Sequence, residues 1–233
     1  DRRDAGKAEC LSMRDAMSAT QRQAWIDEVL AAQALVGTLL LDERGQIVHA
    51  LAARTADGDT TAASIDYTTD VQQQVIPITS ATKANPSVVT TTVPHGLTNG
   101  QKVFIASNTL SGPAINGEQT ATVISATTFS VAVNTSASSG AGTGGTLVRA
   151  DSPNGAAGYL QVTDYSGFTQ IVIKLRDSTD NVTFADLITF TTVTAGPVAY
   201  RGTVTGTVDR YVAASWVKTG SGSATFFVGV ARS

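Results

Sequence analysis

From about residue 76 to the C-terminus, short runs of alternating or β-branched residues recur, each closed by Gly, Pro, Asn or Asp. No other feature restricts the fold of this chain as strongly. A strand with one buried face needs period-two alternation, and turn formers at regular intervals limit strand length. Val88-Val89-Thr90-Thr91-Thr92-Val93 is such a run, and the turn-rich Pro94-His95-Gly96-Leu97-Thr98-Asn99-Gly100 follows it. Segments 101–105, 118–125, 128–133 and 146–149 supply further strands around a turn at 111–117 and a small-residue loop at 136–145. Strands so spaced predict a small barrel or sandwich over 76–150.

The same pattern resumes after the linker Asp151-Ser152-Pro153-Asn154-Gly155. Segments 159–165 and 170–176 alternate, with Lys174 and Arg176 on one face and Asp177-Ser178-Thr179-Asp180-Asn181 as the turn beyond. Segments 187–190, 200–204, 210–217 and 224–231 complete a strand list that predicts a two-sheet sandwich over 151–233.

Residues 1–75 read differently. Ser18-Ala19-Thr20-Gln21 fits a capping box, and Trp25, Ile26, Val29, Leu30 and Ala34 recur at helical spacing. This predicts a helix over 20–36 that stops at Gly37, with a shorter helix over 8–17 before it. Segments 39–41 and 46–51 around Asp42-Glu43-Arg44-Gly45 predict a hairpin, with His49 in its second strand. Residues 57–75 predict a polar linker. Asp57, Asp59 and Asp66 lack the spacing of a calcium loop and read as solvated. The fold class is therefore mainly β: two small β-sandwich or barrel units preceded by an N-terminal helix and hairpin. The units are bounded at 1–75, 76–150 and 151–233.

Charged residues are 15% of the 233, against about 25% in an ordinary soluble domain. The deficit is filled by Thr, Ser, Gly and Ala, and the net charge is -3. A basic footprint for binding nucleic acid and a polybasic membrane patch are both missing from that composition. No run reaches the ~18 apolar residues of a membrane span. Cys10 is the single cysteine, so no internal disulfide framework forms. Asp1-Arg2-Arg3-Asp4 lacks both Met and an apolar core, which predicts a processed or truncated start without a signal peptide.

The residues that carry chemistry are few. The sequence holds no nucleophile elbow, zinc-protease motif or phosphate loop. Segment 140–145 is glycine-rich, but a strand pattern follows it where a phosphate cradle needs a helix. His49 and His95 have no recognisable partner. Asp177 and Asp180, with Asp186 further on, are the one carboxylate pair that a glycosidase reading could use. Two aspartates in one turn more often bind turn backbone. Tyr159, Tyr165, Phe168, Tyr200, Tyr211 and Trp216 gather in the last unit. Exposed rings there would stack on sugars, and Tyr165, Phe168 and Trp216 are the candidate glycan or partner contacts. In a chain with 6% aromatics the core competes for the same rings. No catalytic residue, metal ligand or cofactor is expected.

Two segments resemble phage tail proteins. Residues 85–103, with Pro94-His95-Gly96-Leu97, then Ile115-Asn116-Gly117 and Ala126-Thr127-Thr128-Phe129-Ser130-Val131, are similar to the small FCCH-type barrel named from ubiquitin-activating enzymes, which recurs in phage tail proteins. The resemblance implies a structural role for the Pro-His-Gly turn, with His95 bracing the loop. Tyr159-Leu160-Gln161-Val162-Thr163, residues 178–184, Val208-Asp209-Arg210-Tyr211-Val212 and residues 224–232 resemble the C-terminal domain of siphophage-type virion proteins. Together these resemblances imply a non-enzymatic phage virion protein located in the tail. The leading expectation is a tail tube subunit forming a homo-oligomeric ring, a hexamer, that contacts other virion proteins and encloses DNA without reading it. The alternative is a tail-fibre, baseplate or capsid-decoration protein that binds host glycan.

Overall fold

The computed structural model describes residues 46–69, 73–110 and 112–232. The helices expected over 8–17 and 20–36, the first hairpin strand at 39–41 and Cys10 lie outside the described residues.

Among the described residues the strand-and-turn pattern folds into two seven-stranded sheets. The first holds β1 (Gln46–Arg54), β2 (Gly58–Asp59), β3 (Ile65–Asp66), β11 (Ala156–Ser178), β12 (Ala185–Thr189), β13 (Val198–Val204) and β14 (Tyr211–Arg232). The second holds β4 (Ile76–Ala81), β5 (Ser87–Thr91), β6 (Lys102–Ala106), β7 (Gly117–Val123), β8 (Thr128–Val131), β9 (Gly142–Thr143) and β10 (Thr146–Arg149). All pairings are antiparallel.

In the second sheet the order β4-β5-β8-β7-β6-β10 closes through the pairs Thr146↔Pro77 and Leu147↔Ile76, giving a six-stranded barrel with β9 added on β4. Inward positions carry Ile76, Ile78, Val89, Val103, Ile105, Ile115, Phe129 and Leu147, all buried. The inward face of β5 also takes Ser87 and Thr91, whose hydroxyls donate to the carbonyls of Thr82 and Val93. That is how a Thr-rich strand faces a core without leaving a buried polar atom unpaired. The expected barrel over 76–150 is present.

The other unit is built on β11 and β14, strands of 23 and 22 residues paired from Ala156↔Arg232 to Ser178↔Tyr211. The ladder shifts register three times between Val162 and Gln170. Inward residues of β11 are even-numbered before this stretch (Ala156, Gly158, Leu160, Val162) and odd-numbered after it (Ile171, Ile173, Leu175). The two halves then pack face to face. A Cβ on Gly158 would lie 2.6 Å from Leu175 Cδ1, and one on Gly202 would lie 2.5 Å from Ile188 Cγ2. The expected two-layer sandwich is thus built from one continuous sheet folded on itself, because bulges rather than a chain reversal make the corner. One layer runs β13-β11-β14-β1 and the other β12-β11-β14 with β2 and β3.

Two boundaries move as a result. The 46–51 segment, expected as the second strand of a hairpin whose first strand lies outside the described residues, belongs to β1 and pairs with β14 from Gln46↔Val230 to Arg54↔Ala224. The expected linker at 57–75 contributes β2 and β3 to the same sheet. The barrel is therefore inserted between β3 and β11 of a single sheet.

Candidate functional site

The glycan-platform residues are where the competing core claims them. Trp216 is 4% exposed and Phe168 6%. Trp216 Nε1 donates to the Ala56 carbonyl, and its ring meets Phe226 edge-on at 5.5 Å. Tyr165 is half-buried, and its hydroxyl donates to the carbonyls of Phe168 and Val193 at 3.1 and 3.3 Å. Tyr165 and Phe168 meet edge to face at 6.2 Å, and Trp216 meets the rings of His49 and Phe226 in the same core. The reading of these three rings as exposed contacts is corrected: they lie on or beside the inner face of the folded sheet, where apolar burial outweighs display.

The carboxylates do not form a catalytic pair. Asp180 accepts the N–H groups of Val182 and Thr183 at 2.9 and 2.8 Å and the Ser178 hydroxyl at 2.8 Å. These bonds hold its carboxyl down at about 2, so it stays ionised and braces its own turn. Asp177 is buried and accepts the Asp209 N–H at 3.0 Å, while burial and the Asp209 charge push its carboxyl up. Asp186 is bound by Lys174 at 2.5 Å and Arg176 at 3.4 Å on the outer face of β12. Among the described residues no group of three or more His, Cys, Asp or Glu could hold a metal ion, and no helix is long and apolar enough to cross a membrane.

His95 does what the Pro-His-Gly turn implied. Its Nδ1 accepts the Leu97 N–H at 3.0 Å and its ring meets Phe129 edge-on at 5.5 Å, closing the 94–100 loop over the barrel core.

Asp66, expected to be solvated, is instead the anchor of β3. Arg210 donates to it through Nε and Nη2 at 2.8 and 2.7 Å, and the Thr68 N–H and hydroxyl add two more bonds. The same guanidinium lies 5.1 Å from the Phe104 ring centroid and 3.7 Å from Glu118, both in the barrel. Gln73 adds a second tie, donating to the carbonyls of Tyr67 and Arg149 while accepting the Arg149 N–H. Sequence reasoning missed this junction because Asp66 and Arg210 are 144 residues apart.

The feature with the most scope for partners is β13. Among the described residues it pairs with β11 alone, from Ala156↔Val204 to Val162↔Val198. Its other edge therefore presents seven residues, Val-Ala-Tyr-Arg-Gly-Thr-Val, with no proline and one charge. Arg201 sits at the centre on the exposed face, its guanidinium 5.9 Å from the Tyr159 ring centroid. In the other layer Asp186 of β12 is bound by Lys174 and Arg176 of β11; among the described residues β13 has no comparable charge network.

No family model matches the chain, and no curated protein does. Among solved structures, naturally occurring empty particles of cowpea mosaic virus (the top component) are similar over 69% of this chain and 82% of that chain, at 13% identity and a TM-score of 0.26. A likeness that remote carries no argument about fold or function.

Proposed function

We propose that this chain is a non-enzymatic structural protein of a phage virion, and within that class a tail tube subunit that stacks as rings around the DNA channel. The observation that carries the reading is the edge of β13, unpaired among the described residues, on a doubled sheet. An edge of that kind invites pairing with another chain. Two copies meeting by full-register two-fold pairing of β13 would place Arg201 opposite Arg201, and like charges directly opposite are unfavourable. Head-to-tail pairing with a different strand avoids that clash. Heterologous contacts of this kind close into rings or extend as filaments. The resemblance of segments 85–131 and 159–232 to phage tail proteins supports the same class. The weakly charged, slightly acidic chain suits a conduit that DNA passes through without being held.

The host-glycan alternative loses its support with the inward placement of Phe168 and Trp216. Negative-stain electron microscopy and mass photometry of the purified chain test the proposal. Rings, hexamers by expectation, or stacked tubes are the expected particles. A dispersed monomer or compact trimer at every concentration refutes the tube. Ala199→Lys with Thr203→Lys, both at exposed positions, would place three cations along β13 and is expected to return the particles to single subunits.

A further inference from the structure

His49 is an ionisable side chain in an apolar site. It is 2% exposed, stacked on Phe226 at 4.7 Å with rings 21° apart, and meets Trp216 edge-on at 4.8 Å. Arg54, five residues along the same strand, donates its Nε–H to His49 Nε2 at 2.9 Å and lies over the Trp216 ring at 5.1 Å. A guanidinium can only donate, so Nε2 is the acceptor and the ring is neutral, with its proton on Nδ1. That Nδ1 is buried and has no hydrogen-bond partner. A second proton would sit on Nε2, facing the N–H of a fixed cation.

The strand that carries this pair is weakly tied. Among the described residues β1 pairs with β14 alone, and its register there breaks on both sides of His49, between Ile47 and His49 and between His49 and Ala52. The ring contacts therefore carry attachment that the ladder lacks at that point.

We propose that His49 and Arg54 form an acid-operated latch: protonating the buried imidazole breaks its bond from Arg54 and releases β1 from β14. Arg54 is the charged group that acts on the ring. β14 contributes the uncharged rings of Trp216 and Phe226, and the chain beyond β1 turns the Ala56 carbonyl to Trp216. Burial first and the Arg54 charge second hold the imidazole below its ordinary value, against weaker opposing pulls from the carbonyls of His49, Phe226 and Ala50. A lowered value means that the latch contributes its full stability above about pH 6.5 and loses it as pH falls toward the folded-state value.

Hydrogen exchange by mass spectrometry on the full chain tests this, comparing about pH 7.5 with about pH 5 after correction for intrinsic rates. Protection of 46–54 is expected to fall about tenfold or more in acid while β5, β8 and the centre of β11 keep theirs. His49→Gln keeps an acceptor for Arg54 and does not titrate, so its 46–54 protection is expected to be the same at both values. Arg54→Gln removes the charge that opposes protonation, so the transition is expected to shrink and its midpoint to move to higher pH. Unchanged protection of 46–54 in acid overturns the latch, as does an equal loss in His49→Gln, or an Arg54→Gln midpoint that stays in place or falls.

Discussion

Replacing Arg210 with Met tests whether the junction between the folded sheet and the barrel rests on one guanidinium. The Arg210 side chain is 15% exposed and that of Asp66 24%. Breaking a buried pair from one side costs about 3–5 kcal/mol, and a single hydrogen bond to a charged group is worth about 1.5–3 kcal/mol. Asp66 keeps partial hydration and both Thr68 bonds, which moves the expected loss down to about 2–3 kcal/mol. The Glu118 contact adds little. That side chain is 31% exposed, its oxygen is 3.7 Å from Arg210, and exposed pairs are worth about 0–1 kcal/mol. Glu118→Gln should therefore sit within about 0.5 kcal/mol of wild type.

Urea unfolding is the assay. With a slope of about 2 kcal/mol/M, the Arg210→Met midpoint should fall by about 1 M. A double-mutant cycle with Asp66→Asn should return a coupling of about 1–2 kcal/mol. Burial disfavours the Asp66 carboxylate, but Arg210 and Thr68 outweigh it and hold the carboxyl below its ordinary value. Its contribution is therefore present above about pH 4 and lost in stronger acid, where the gap between Arg210→Met and wild type should narrow. Coupling below about 0.5 kcal/mol, or a gap that does not narrow, would refute the reasoning.

Other substitutions test the corner and the linker. Gly155 has φ +88, and a Cβ there would lie 2.1 Å from the Val204 carbonyl oxygen, so Gly155→Ala should cost about 2–4 kcal/mol by thermal or urea unfolding. Gly206 also has positive φ but open space around its Cβ, so Gly206→Ala should cost only about 1 kcal/mol of backbone strain. Asp151 is buried with one carboxyl oxygen unpaired; burial first, then the charges of Asp209 and Glu118, push its carboxyl up against the Lys102 N–H and charge. A raised folded-state value means that the ionised carboxylate is a penalty above that value and none well below it. The stability of Asp151→Asn relative to wild type should therefore climb between about pH 4 and pH 7, and a flat difference across that window would count against it.

Much of the fold was legible because its signals are local. The Pro-His-Gly turn, the β-branched 88–93 run and the spacing of strands between 101 and 149 specify a barrel by alternation and turn chemistry, which act within a few residues. The corner in β11 was not legible. The strands expected at 159–165 and 170–176 leave 166–169 between them, whereas β11 runs unbroken through both with Gly167 at φ +77. What keeps the strand continuous is β14, whose own Gly220 and Gly222 stand opposite. A Cβ on Gly222 would lie 2.0 Å from the Ser166 carbonyl oxygen, and one on Gly167 would lie 2.6 Å from that of Ser221. The close approach needs glycine on both strands at once, a condition set by residues more than fifty positions apart.

The same separation of scales explains the candidate site. Whether Trp216 faces water or core depends on Gly58, His49 and Phe226, none of them its sequence neighbours: a Cβ on Gly58 would lie 2.7 Å from Trp216 Cζ2, so the indole lies flush against β2. Aromatic residues announce that something large will be buried or bound, and the choice between the two is made by the layer that folds over them. An edge differs in kind. Its character follows from composition along one strand, and the lack of proline and the single charge in 198–204 can be read from the sequence. That the strand lies at an edge cannot, because edge position is a property of the whole sheet order. The assembly reading therefore stands or falls on topology. A strand found paired against β13 within the same subunit would remove it even if every other contact described here were confirmed.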